Sequence, residues 1–202
     1  MSIIHRGVKY LKCNSMLDVV RKCIYSGINY LSTVNHLFRK IRFFFFTKCW
    51  VKAINGRVQL IGIGNNIKMG KDITLNGGAI FEMGELAKLS IGSNFTLAYG
   101  SLIACRASIT IGDNVMIGEY SSIRDTSHVY SAIGVAYKLQ ADKSEPIIIG
   151  DNVWIGRGCI VLPGTVIQDD VIVAANSIIK GILEQGCIYG GAPIKFIKRI
   201  TE

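Results

Sequence analysis

The sequence predicts an all-β solenoid, short strands stacked coil on coil, behind a helical N-terminal extension. Three observations predict it. Apolar residues recur every six positions over long runs between Ile63 and Ile179, small or β-branched residues hold a fixed place in most sixes, and the charge balance changes abruptly near residue 57.

The charge change divides the chain. Residues 1–57 carry eleven Lys or Arg and a single acid, Asp18, whereas residues 58–202 are close to neutral, so the net +9 sits almost wholly in the first segment. Half of the 202 residues are hydrophobic and 18 % are charged, which supports a packed core and argues against disorder. The 22 glycines against 3 prolines suit many repeated turns.

The first segment, 1–57, reads as basic, amphipathic helix. Leu17, Val20 and Ile24 share one helical face, as do Leu31, Val34, Leu37, Phe38 and Ile41, with Arg21, Lys22, Arg39, Lys40 and Arg42 between them. Then comes IRFFFFTKCW. Its apolar stretches fall far short of the ~20 residues of a spanning helix. Two readings stay open: a helix lying on a membrane surface, or an apolar face that caps the β-domain or a neighbouring subunit. MSIIHRGVKY has no secretory-signal pattern, so a cytoplasmic protein is expected, peripheral at the inner face of the cell membrane on the first reading. The six cysteines have irregular spacings with no C-x-x-C pair, which points to reduced thiols and away from zinc. No nucleic-acid recognition motif accompanies the cations.

The second segment, 58–202, carries the repeat. Ile63, Met69, Leu75 and Phe81 form one run, Ile91, Leu97 and Ile103 another, and Ile111, Ile117 and Ile123 a third. Ile149, Ile155, Val161, Ile167, Val173 and Ile179 complete the series. An α-helix cannot place residues six apart on one face, because 3.6 does not divide six. A short strand pointing one side chain inward, then a tight turn, can. Each interior isoleucine contributes roughly 1.5–3 kcal/mol by burial, but only when coils stack on one another. The fifth place of each six, as at Ser101, Ser121, Ser127 and Cys159, is expected at a crowded corner.

Breaks in the repeat mark candidate sites. The phase slips between Phe81 and Ile91 and between Ile103 and Ile111. The large break follows IRDTSH (123–128), which reads as one more hexad, and extrudes a loop over 127–147 containing Tyr130. His128 stands at its root, apart from His5 and His36 in the basic segment. A neutral imidazole there can take a proton from a hydroxyl near pH 7. Asp125 either orients that ring or is a solvated turn residue, and Arg124 either meets an anionic acceptor or is surface charge. Trp154 takes an outward position, where a large aromatic wants a partner.

These motifs carry a resemblance. The repeat over 61–182, GDNVWIGRGCIVLPGTVI (150–167) and the C-terminal VIVAANSIIKGILEQGCIYGGAPIKFIKRI resemble the hexapeptide-repeat acyltransferases, in particular the bacterial surface-polysaccharide and sugar O-acetyltransferases. The resemblance implies a left-handed parallel β-helix of triangular coils, a homotrimer with active sites between subunits, acetyl-CoA as cosubstrate, and no metal. It implies His128 as general base and Trp154 near acceptor and pantetheine. It places Arg157 and Ala175 against CoA, with Lys195 and Lys198 of a C-terminal CoA-binding tail near its 3′-phosphate. Lys180 stands one place early for the family's threonine–lysine pair. The alternative for these lysines is a solvated tail.

One departure concerns the acceptor. The asparagine that sugar acetyltransferases carry one coil before the histidine corresponds to Ala98, so Tyr99 or Ser101 are candidate substitutes and a galactoside or maltose is not the expected acceptor. The expected activity is O-acetylation of a capsule, O-antigen or exopolysaccharide sugar. N-acetylation of a nucleotide-linked amino sugar is an alternative, although residues 1–60 lack the Gly-rich nucleotide-binding unit of such relatives. A catalytically idle trimeric scaffold at the membrane is the non-enzyme alternative. Zinc carbonic anhydrases on this coil need three histidines, and only His128 lies in the repeat.

Overall fold

The computed structural model describes residues 33–62 and 66–200. From Ala53 onward the chain winds through about six coils of a left-handed parallel β-helix with three flat faces. The first face stacks Ala53–Asn55, Thr74–Asn76, Thr96–Leu97, Met116–Ile117, Trp154–Ile155, Ile172–Val173 and Cys187–Gly190, all parallel. Lys195–Arg199 closes it as a final antiparallel strand against Cys187–Gly190. The second face runs from Gln59–Ile61 to Ile178–Ile179 and the third from Ile67–Met69 to Ile182–Leu183.

The register explains the six-residue period. Leu75, Leu97, Ile117, Ile155 and Val173 lie over one another on the first face, and Phe81, Ile103, Ile123, Val161 and Ile179 on the second. Every one of these side chains is buried, so the core is a set of aliphatic columns running along the coil axis. Ile63 and the Leu17–Ile24 face lie outside the described residues.

Gly92, Gly112 and Gly150, each just after an inward isoleucine, have a steric cause. At the corner from third face to first, the backbone N–H groups of Ser93, Asp113 and Asp151 donate to Oδ1 of Asp113, Asp151 and Asp169 in the next coil, at 2.5, 2.7 and 2.8 Å. A Cβ on Gly92, Gly112 or Gly150 would stand 2.2–2.3 Å from that oxygen. The Gly-Asp-Asn tripeptides at 112–114 and 150–152 therefore encode a corner.

All the phase slips fall at one corner, from second face to third. Phe81 to Ile91, Ile103 to Ile111 and Ile123 to Ile149 are successive passages around it, so the extra residues bulge outward on one edge of the prism. The last of these passages is not the hexad expected at 123–128. The chain leaves the coil after Asp125, and Thr126–His128 pairs antiparallel with Asp142–Ser144 as a hairpin. Ser127 is exposed on that hairpin rather than packed in a corner.

Residues 33–47 form a helix across the N-terminal end of the coil. Of its five phenylalanines only Phe43 is buried, edge-on against Phe81 with ring centroids 6.2 Å apart. The backbone N–H of Ile54 donates to Nε2 of His36 at 3.2 Å, which ties the helix to the first strand. Of the expected face of Leu31, Val34, Leu37, Phe38 and Ile41, Leu31 lies outside the described residues, Val34 and Ile41 are half-buried, and Leu37 and Phe38 are turned to solvent. No helix among the described residues is long and apolar enough to cross a membrane.

Candidate active site

The hairpin positions His128. Its residues face Asp142–Ser144 one to one, His128 opposite Asp142, and Nδ1 of His128 lies 2.7 Å from Oδ1 of Asp142. A carboxylate at that nitrogen fixes the tautomer that carries its proton on Nδ1, leaving Nε2 with a lone pair. The ring lines a groove of about 550 Å³ together with Tyr130, Lys143, Glu145, Pro163 and Lys180. Glu145 is clamped there between Lys143 at 2.6 Å and Lys180 at 2.9 Å. Hydrogen bonds from Lys143 and then Lys180, with their charges, hold its carboxyl down at about 2.

Asp125 does not serve His128. It is fully buried, and its two oxygens accept the backbone N–H groups of Arg106, Ala107 and Ser108 at 2.8–2.9 Å, plus the Thr126 hydroxyl at 3.0 Å. Those amides belong to the same corner one coil earlier, so Asp125 closes the widened corner below the hairpin. The carboxylate beside the imidazole is Asp142, which the sequence did not single out because nothing in a non-repeating loop reveals strand register. Burial, then the neighbouring Asp125 charge, pushes the thiol of Cys105 up to about 12.

A second surface lies on the first face. Trp154, 50 % exposed, borders a shelf of about 470 Å³ with Ala98, Gly118, Gly156, Arg157 and Ala175. Small residues keep it flat where each strand ends, which suits a slim ligand such as a pantetheine arm, and Arg157 supplies one cation. Lys195 and Lys198 lie on the final strand of the same face. Lys180 does not join them; it belongs to the His128 groove. Tyr99 is half-exposed and packs edge-on against Tyr120 at 5.7 Å. Ser101 is buried, its hydroxyl donating to the Gly118 carbonyl at 2.9 Å, and is unavailable to an acceptor. Arg124 sits 3.7 Å from Glu82 on the second face. Within one chain the His128 groove and the Trp154 shelf are separate, one on an edge and one on a face. Among the described residues no cluster of His, Cys, Asp or Glu could hold a metal ion.

Residues 146–181 match the family model described as bacterial transferase hexapeptide (six repeats). The chain is 33 % identical over 107 residues to the putative lipopolysaccharide biosynthesis O-acetyl transferase WbbJ of Escherichia coli, covering 50 % of this chain and 55 % of that protein. It is 31 % identical over 119 residues to the galactoside O-acetyltransferase of the same organism, covering 57 % of this chain and 56 % of that one. The chain thus spans little more than half the length of these curated relatives. Among solved structures, a maltose O-acetyltransferase from Clostridium difficile 630 superposes with a TM-score of 0.56 at 28 % identity, over 78 % of this chain and 72 % of that one. AntD, an N-acyltransferase from Bacillus cereus solved with dTDP and 3-hydroxybutyryl-CoA, superposes with a TM-score of 0.67 at 22 % identity, over 78 % and 85 %, a likeness of fold.

Proposed function

We propose that the chain is an acyltransferase of the hexapeptide-repeat type, as its matching repeat and its similarity to O-acetyltransferases support, and that it acetylates a sugar hydroxyl of a bacterial surface glycan with acetyl-CoA as donor. The observation that carries this reading is the His128–Asp142 contact at the wall of an open groove. Acetyl-CoA supplies an activated acyl thioester. His128 removes the proton from the acceptor hydroxyl through Nε2 as the oxygen attacks. Asp142 holds the ring and stabilises the imidazolium, which then returns the proton to the departing sulfur. Arg157, Ala175, Lys195 and Lys198 on the first face are the residues to hold the CoA, with Trp154 at its edge. Since that face and the His128 groove are apart in one chain, the working site needs a second copy, and a homotrimer places the groove of one subunit against the first face of the next. Tyr130 and Lys143, beside His128, are the nearest groups to an acceptor.

The test is thiol release from acetyl-CoA in the presence of a panel of glycan acceptors, followed by the product's acetyl linkage. Release that depends on a glycan hydroxyl and collapses in His128→Ala supports the reading. Release only with nucleotide-linked amino sugars, giving an amide, replaces it with N-acetylation. An intact trimer that releases no thiol with any acceptor leaves the scaffold reading.

A further inference from the structure

We infer that the N-terminal cap docks onto an anionic phospholipid bilayer, an outward apolar helix stripe entering the headgroup layer while three arginines hold lipid phosphates. The helix over 33–47 turns Phe43 and Thr47 into the coil and leaves its opposite side uncovered among the described residues. On that side exposed Leu37, Phe38 and Phe45, with half-buried Ile41 between them, follow the three- and four-residue steps of a single helical face. Phe38 and Phe45 are 66 % and 67 % exposed. An amphipathic helix normally turns its apolar stripe inward; here the stripe faces out, which marks it as a contact surface.

Charge selects the partner. Arg39, Arg42 and Arg57 converge on a cavity of about 280 Å³ floored by Phe43, Ile54 and Leu60. No salt bridge to a carboxylate engages any of the three among the described residues. Guanidinium forks around an apolar floor fit a phosphate ester that carries a hydrocarbon chain. The other candidate covers are residues 1–32 and a second copy of the cap. Both are themselves basic, with Asp18 the only acid in residues 1–57, so neither complements this surface. An anionic bilayer does. The inference goes beyond the catalytic reading and does not rest on it, because vesicle binding is measured without substrate.

The test is flotation of the full chain with vesicles of phosphatidylcholine alone and of phosphatidylcholine mixed with phosphatidylglycerol. The expected result is capture by the mixed vesicles only, weakened by salt. Arg39→Gln/Arg42→Gln/Arg57→Gln is expected to lower partitioning ~100-fold. Phe38→Ser/Phe45→Ser is expected to abolish capture, and both variants keep the wild-type melting temperature. Equal capture by both vesicle types, or undiminished capture of the triple variant, overturns the inference. So does full competition by free glycerol phosphate, which makes the headgroup anion alone the ligand. A serine variant that shrinks the assembly in light scattering yet still floats assigns the stripe to a second copy and also overturns it.

Discussion

His128 and Asp142 stand directly opposite each other across the antiparallel hairpin, Nδ1 to Oδ1 at 2.7 Å. Their pairing is a consequence of strand register: shifting the hairpin by one residue would turn one of the two side chains to the other side. The chain thus places a histidine and the carboxylate it contacts on one two-stranded arm, outside the repeating coil.

That arrangement predicts how the pair fails. His128→Ala is expected to lower turnover ~10²–10⁴-fold. Asp142→Asn is expected to lower it by roughly 10–10³-fold, with KM for acetyl-CoA unchanged, because the amide cannot favour the same tautomer or steady the imidazolium. The double variant should be no slower than His128→Ala alone, since Asp142 acts only through the ring. Additive losses in steady-state kinetics would show that Asp142 touches the reaction independently.

Asp125 predicts the opposite pattern. Its carboxylate answers the amides of Arg106, Ala107 and Ser108 in the preceding coil. Asp125→Ala leaves those donors unmet at a buried corner, a loss of about 3–5 kcal/mol. The expected outcome in thermal unfolding is a markedly lower melting temperature. Turnover per folded molecule, measured well below that temperature, should stay within a few fold of wild type provided the hairpin keeps its register.

The contrast between these two aspartates shows what the sequence could carry. The aliphatic columns were readable because each coil repeats the same inward position, so Ile111, Ile117 and Ile123 announced themselves without knowledge of the fold. Trp154 was readable by its outward place in a hexad, Arg157 and Ala175 only through the resemblance, and the three share one shelf. Asp142 was not, because a loop without period offers no register from which to count. Asp125 sat three residues from His128 along the chain, yet strand geometry sends the two in different directions. The helix at 33–47 was legible as amphipathic, but periodicity says only that a stripe exists, not which side meets the coil. The aromatic Phe43 fixed that side by packing on Phe81.

The corner ladder yields a test of the glycine pattern. Gly112→Ala would put a methyl group 2.2 Å from Oδ1 of Asp151, the atom that accepts the Asp113 N–H. The same methyl group would stand 2.7 Å from the Gly150 backbone, so the coil spacing must open even if the carboxylate swings away. A loss of about 1–3 kcal/mol is expected by chemical denaturation. Asp151→Ala removes that acceptor but not the Gly150 backbone, so in its background Gly112→Ala should cost less yet keep part of its penalty, and a double-mutant cycle measures the coupling.

Glu145 gives the pH dependence. Its folded carboxyl is held at about 2, below the ordinary 4.5, by Lys143 and Lys180. A depressed carboxyl binds protons less readily in the folded chain than in the unfolded one, so its contribution is fully present above 4.5 and disappears as pH falls toward 2. The difference in melting temperature between wild type and Glu145→Gln should therefore be constant near neutrality and narrow through that acidic window. The clamp is exposed to solvent, so salt should shrink the difference at neutral pH as well. A gap that persists unchanged to the lowest pH, or grows there, would mean that Glu145 steadies the groove by packing rather than by charge, and that Lys180 is not held by it.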